Sequence, residues 1–126
     1  MTVLDASAVL ALVHDEPGAS RVVAALPGAV LGAANLAEVV GKLVDVGVDA
    51  APLRRLLGQA GVTVEPVLEV DAELAGALRG HPGGRALSLG DRCCLALAVR
   101  SSPAEVLTAD RAWSHLGLPI TVTLLR

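Results

Sequence analysis

The stretch Leu87-Ser88-Leu89-Gly90-Asp91-Arg92-Cys93-Cys94-Leu95-Ala96-Leu97-Ala98-Val99 reads as a helix that is apolar on nearly every face. Such a helix belongs inside a fold and not on its surface. Ser88 is placed to cap its start, and Asp91 follows three residues later, where the acid of a capping box stands. A carboxylate at the head of so apolar a helix has a second reading. Burial penalises its charged form unless cations or donors stand nearby. A metal ion would meet that need if other carboxylates reached the same place.

Outward from this helix, short apolar runs alternate with longer helical patterns. Thr2-Val3-Leu4 suits a buried strand, and Ser7 offers an N-cap to a helix through Val13. Ala19 to Leu26 resumes at helical spacing, and Ala29-Val30-Leu31 reads as a second strand. From Ala34 to Val46 the apolar positions Leu36, Val39, Val40, Leu43 and Val44 again fall at helical spacing. Asp49 caps a further helix with Leu53, Leu56 and Leu57, and Val62-Thr63-Val64 is a β-branched third strand. Asp71 to Leu78 is a helix with its acids in the first turn. Beyond the central helix, Glu105-Val106-Leu107-Thr108 is a fourth strand and a short helix carries Trp113 and Leu116. Ile120-Thr121-Val122-Thr123 is the last strand. The alternation predicts an α/β fold with a mostly parallel central sheet of four to five short strands flanked by helices.

The 126 residues are expected to form one domain spanning 1–126, with 53% hydrophobic residues to fill a core. Pro27, Asn35, Glu38 and Lys42 interrupt the longest apolar candidate before it reaches the ~18 residues of a membrane span. No basic segment opens the chain, and Asp5 falls where a signal peptide would be apolar, so a cytoplasmic protein is expected. Cys93 and Cys94 are adjacent, poorly placed for a disulfide, and read as two small buried thiols. The net charge of −3 excludes the usual basic nucleic-acid module, and Trp113, the single aromatic, excludes an aromatic stacking platform.

In a parallel sheet, chemistry collects beyond the carboxyl ends of the strands. Asp5 and Asp110 each follow a strand, Asp91 heads a helix that reaches the same edge, and Glu38 lies one turn into the helix after the second strand. Each has a plainer duty available. Asp5 and Asp110 can cap helices, Asp91 can complete its capping box, and Glu38 can pair with Lys42 at i,i+4. Mapped together on one edge, the four carboxylates would repel one another and take up protons unless a hard divalent cation such as Mg²⁺ or Mn²⁺ joined them. Acidic metal sites of this kind hydrolyse phosphodiesters. They require no catalytic histidine, and His14, His81 and His115 lie at helix ends or in a loop.

Val3-Leu4-Asp5-Ala6-Ser7, Leu36-Ala37-Glu38-Val39, Leu87-Ser88-Leu89-Gly90-Asp91 and Leu107-Thr108-Ala109-Asp110-Arg111-Ala112-Trp113 together resemble the PIN-domain ribonucleases. The resemblance spans essentially the whole chain and is strongest to the VapC toxins of bacterial toxin–antitoxin pairs. It implies a PIN-like three-layer sandwich and an acidic Mg²⁺ site, with Mn²⁺ substituting, made by Asp5, Glu38, Asp91 and Asp110. Ser7 would stand beside that site as a supporting hydroxyl. It also implies cleavage of an RNA substrate, a homodimer, and a cognate VapB-type antitoxin that blocks the site with a basic residue. Two departures from the family pattern stand out: Ala6 follows the first Asp, and Ala33-Ala34-Asn35 stands where the Glu helix begins, where relatives often carry hydroxyls. Arg79, Arg85, Arg92 and Arg111 are candidates to meet RNA phosphates, with Arg92 and Arg111 adjoining expected ligands. A phosphoacceptor receiver domain would need a lysine near the last strands, and Lys42, the only lysine, is on the wrong helix. A catalytically silent PIN-fold module that only binds a partner is the other alternative.

Overall fold

The computed structural model describes residues 1–126. Five short strands, β1 (Thr2–Leu4), β2 (Val30–Gly32), β3 (Thr63–Glu65), β4 (Glu105–Thr108) and β5 (Thr121–Leu124), form one sheet in the order β3-β2-β1-β4-β5. Every pairing is parallel, so the sheet is wholly rather than mostly parallel. Six helices join the strands: α1 (Ala6–Val13), α2 (Ala19–Ala25), α3 (Ala33–Asp45), α4 (Ala51–Gln59), α5 (Glu69–Ala77) and α6 (Leu89–Arg100).

Alternation along the three central strands divides the core in two. Leu4, Leu31 and Leu107 stand level in register and pack with Ala8, Val22, Val39, Leu43 and Leu57 of α1 to α4. Val3, Val30 and Val106 are their neighbours one step back, and they face Cys94, Leu95 and Ala98 of α6 with Trp113. Period-two strands covered on both faces make the α/β/α sandwich. The α6 segment is as buried as its composition demands, with Cys94 to Ala98 all inside, although Leu89 at its first turn stays exposed. Trp113 is buried too, and Cys93 is only partly so.

Four local expectations need correction. Asp5, not Ser7, caps α1, because its carboxylate accepts the Ala8 N–H while Ser7 lies within the helix. Helix α5 starts at Glu69, two residues before Asp71, which reaches back to accept the Leu68 N–H. The segment around Trp113 is a 3-10 turn, Arg111–His115, capped by Asp110. Arg92 is not available to RNA. It is 7% exposed and its Nη1 donates to the Ala75 carbonyl at 2.7 Å, pinning α6 to α5. Arg100, eight residues further along α6, meets Asp71 at 2.8 Å, so the two helices run antiparallel.

Leu95 is fully buried between α6 and the sheet. Leu95→Ala is expected to cost about 2–5 kcal/mol, the usual range for a large-to-small core change. A urea melt should show the midpoint falling with its slope unchanged.

Candidate active site

Asp5 is the residue that the sheet itself positions. It follows β1 directly, its N–H donates to the Leu107 carbonyl at 3.3 Å, and Thr108 stands beside it on β4. Its side chain is 4% exposed, yet three donors converge on it. Ser7 Oγ donates to Oδ1 at 2.6 Å, the Ala8 N–H donates to Oδ1 at 2.8 Å, and Thr108 Oγ1 donates to Oδ2 at 2.5 Å. Burial pushes the Asp5 pKa above its ordinary 3.8, the hydroxyls and the amide pull it back down, and the negative charge of Asp91 raises it further. Ser7 Oγ also accepts the Ala109 N–H at 2.9 Å, and Thr108 Oγ1 accepts the Asp110 N–H at 3.0 Å. The backbone leading from β4 to Asp110 is therefore tied to Asp5 through two hydroxyls.

Glu38 reaches the same edge from α3, whose first residue follows β2 without a linker. Asn35, one turn earlier and 1% exposed, holds it: Nδ2 donates to Glu38 Oε1 at 2.8 Å and to the Gly90 carbonyl at 3.0 Å. The amide thus clamps α3 to the first turn of α6, and its own Oδ1 is buried without a partner. An unpartnered buried acceptor costs about 1–3 kcal/mol. That cost is tolerated where the two Nδ2 bonds place Glu38 beside α6. Gly90 is part of the same fit, because a Cβ there would fall on the Glu38 carboxyl. Lys42 takes no part, and Glu38 forms no ion pair with it.

Asp91 completes its capping box: Oδ2 accepts the Ser88 N–H at 2.9 Å, and Ser88 Oγ accepts the Asp91 N–H at 3.1 Å. Asp110 is exposed, and its Oδ1 accepts the Ala112 N–H at 3.0 Å. The plainer duties foreseen for both acids are real, but each engages a single oxygen. Glu38 Oε2, Asp91 Oδ1 and Asp110 Oδ2 have no partner within the chain. Cys94, one turn after Asp91, marks where the edges meet. Its Sγ lies 4.0 Å from the Leu4 carbonyl, and burial drives its thiol pKa well up, helped by Asp5, Asp91 and Glu38. The charges of Asp5, Asp91 and Glu38 are thus all felt at the Cys94 thiol. Cys93 is also pushed up by burial, so neither cysteine has the thiolate character of a nucleophile.

An all-oxygen donor set with free carboxylate oxygens suits Mg²⁺ or Mn²⁺, which keep several waters and take few protein ligands. No three His, Cys, Asp or Glu side chains stand at enclosing distance, so the acids border an open ledge and not a closed cage. No cavity of the chain is lined by Asp5, Glu38 or Asp91. Asn35, Thr108 and Gly90 are the residues of this site that sequence reasoning did not single out. An Asn three residues before Glu38 on an apolar helix face, and a Thr two before Asp110, were the available signals.

A family model described as the PIN domain matches residues 2–118. No protein of curated function matches the chain by sequence. Among solved structures, a toxin–antitoxin complex from Klebsiella pneumoniae contains a chain 19% identical, with a TM-score of 0.74 over 100% of this chain and 98% of that one. VapBC2 from Rickettsia felis, bound to a promoter DNA fragment, gives 12% identity and 0.73 over 98% and 97%. FitAcB from Neisseria gonorrhoeae gives 19% and 0.65 over 99% and 98%. At these identities the likeness establishes the fold.

Two variants test the geometry. Because folding raises the Asp5 pKa above 3.8, the folded state holds the proton more tightly, and ionised Asp5 costs stability at neutral pH. In EDTA, Asp5→Asn should therefore melt higher than wild type at pH 7, and its advantage should shrink as pH falls toward 3.8. Gly→Ala in an unhindered helix gains up to about 1 kcal/mol. Gly90→Ala should instead lower the melting temperature, because the new methyl displaces Glu38.

Proposed function

This chain belongs to the PIN-domain family, and from that premise we propose that it is a metal-dependent endoribonuclease toxin, hydrolysing RNA phosphodiester bonds. The observation that carries the reading is the set of carboxylates around Asp5. Glu38, Asp91 and Asp110 each hold one oxygen in a protein hydrogen bond and leave the other free at the carboxyl edge of a parallel sheet.

Asp5, Glu38, Asp91 and Asp110 would hold Mg²⁺, or Mn²⁺ in its place. Bound there, the cation would lower the pKa of an attacking water and offset charge on the leaving oxygen. The chain's own groups supply the rest. Thr108, Ser7 and the Ala8 N–H keep the Asp5 carboxylate in one orientation, so little reorganisation remains when charge arrives. Asn35 performs the same office for Glu38, and the capping box for Asp91. Asp91 and Asp110 each keep an oxygen able to accept a proton from water. The open ledge accommodates an extended polymer more readily than a small molecule. Arg111, exposed beside Asp110, is placed to meet a phosphate.

The toxin role follows the family resemblance, and the Klebsiella pneumoniae structure with this fold is a toxin–antitoxin complex. A cognate VapB-type antitoxin and a second copy of the chain are the proposed partners. Val44, Val46 and Val48, more than 45% exposed at the end of α3, offer apolar surface that such a partner would cover. No helix is long and apolar enough to cross a membrane. One observation favours a silent partner-binding module instead: both Asp5 oxygens are already engaged and no three acids enclose an ion.

Incubation with single-stranded RNA and Mn²⁺, with and without EDTA, separates the two readings. Wild type should cleave only with free metal. Asp91→Asn should lower the rate at least 100-fold while retaining the wild-type fold by circular dichroism. Full activity in that variant, or none in wild type, defeats the nuclease assignment.

A further inference from the structure

The segment between α5 and α6 is held in one shape beside the acid cluster. His81 N–H donates to the Leu78 carbonyl at 3.1 Å, Gly84 N–H to His81 at 2.8 Å, and Leu87 N–H to Gly84 at 3.1 Å. Gly83 has a φ of 82°, in the left-handed region, and a Cβ on Gly84 would fall on the Leu78 carbonyl. The His81 ring hydrogen-bonds the Leu116 carbonyl, which ties the loop to the 3-10 turn after β4.

Two cavities open along this loop and share a wall. One, of about 350 Å³, is lined by Arg79, His81 and Arg85; the other, of about 380 Å³, by Leu87, Asp110, His115 and Leu116. Pro82, Gly83 and Ala86 line both, so the two cavities adjoin, the first beside the arginines and the second reaching Asp110. Arg21, Arg92, Arg100 and Arg126 all bond within the chain. The side chains of Arg79 and Arg85 have no partner, as is also true of Arg54, Arg55 and Arg111, but of these five only Arg79 and Arg85 line a cavity. The second cavity combines an apolar lining with two polar side chains, Asp110 and His115, the usual make-up of a ligand pocket. Trp113 is buried, so His115, exposed on the rim, is the ring available for stacking.

We infer that these two adjoining cavities form the specificity site of the nuclease: the Leu87–His115 cavity seats one unstacked base beside the scissile phosphate, and Arg79 and Arg85 at the other hold phosphates further along the same strand. The inference rests on the nuclease reading above. Single-stranded RNA suits such a site, because its bases splay out, stack on imidazole or guanidinium groups and offer their edges to hydrogen bonds. The preformed loop presents the arginines without a further cost in backbone ordering.

Anisotropy of a labelled single-stranded RNA in EDTA, across a salt series, tests the phosphate contacts. Arg79→Ala with Arg85→Ala should weaken binding to all sequences. It should also reduce the salt slope by about 1.4, roughly 0.7 per lost contact on a single strand. The paired lysine variant should restore the slope, and an unchanged slope in the alanine variant overturns the phosphate assignment. Cleavage of an oligonucleotide pool with Mn²⁺ tests the base pocket. Wild type should show a base preference at one position beside the cut, and His115→Ala should flatten it. Wild-type preference in that variant overturns the pocket. Both variants should keep the wild-type melting temperature and its increase with Mn²⁺. A wild-type protein that neither binds RNA in EDTA nor cleaves it with Mn²⁺ would sink the nuclease reading itself.

Discussion

A carboxylate buried at the end of the central strand is the constraint on which the rest of this molecule depends. Asp5 is 4% exposed and pairs with no Lys or Arg, so the chain itself meets its charge through hydrogen bonds. Those bonds come from both sides of the chain's connectivity. Ser7 and the Ala8 N–H belong to the helix that Asp5 itself begins, whereas Thr108 arrives from β4, 103 residues away. The parallel pairing of β1 with β4 is what brings Thr108 level with Asp5. A carboxylate so placed caps a helix, joins two strands and stores negative charge at once.

The other acids are built on the same plan with the balance reversed. Glu38, Asp91 and Asp110 are anchored by Asn35, by the Ser88 N–H and by the Ala112 N–H, respectively. Anchoring at one oxygen fixes direction without neutralising charge, and the second oxygen stays free. Structural capping and ligand presentation are therefore compatible duties of one side chain. Burial, with a smaller contribution from the charge of Asp91, works against the ionised form of Asp5. Stability given up at such an edge is the expected companion of a site prepared for a cation.

Much of this was legible from residue order. The alternation of short apolar runs with helical periods located all five strands to within two residues, because the central strands are covered on both faces and β-branched residues mark the two edge strands. Capping chemistry located the α6 terminus, since Ser88 and Asp91 satisfy each other locally. Arg92 was misread because adjacency to Asp91 along the chain says nothing about which helix face a side chain occupies. One residue's rotation turns it toward Ala75 and away from the ledge. Asn35 was treated as a missing hydroxyl, yet it makes the contact that sets Glu38, and its second partner, the Gly90 carbonyl, lies 55 residues away.

The amino-acid order alone therefore determined the element sequence, the parallel α/β class and which four carboxylates follow strands or head helices, because periodicity and capping act within a few residues. The tertiary structure decided how those carboxylates are held and which arginines remain free, through Thr108 against Asp5, Asn35 across to Gly90, and Arg92 beneath α5. Those contacts join residues far apart in the chain, and their distances arise only when the sheet register and the helix packing are both in place.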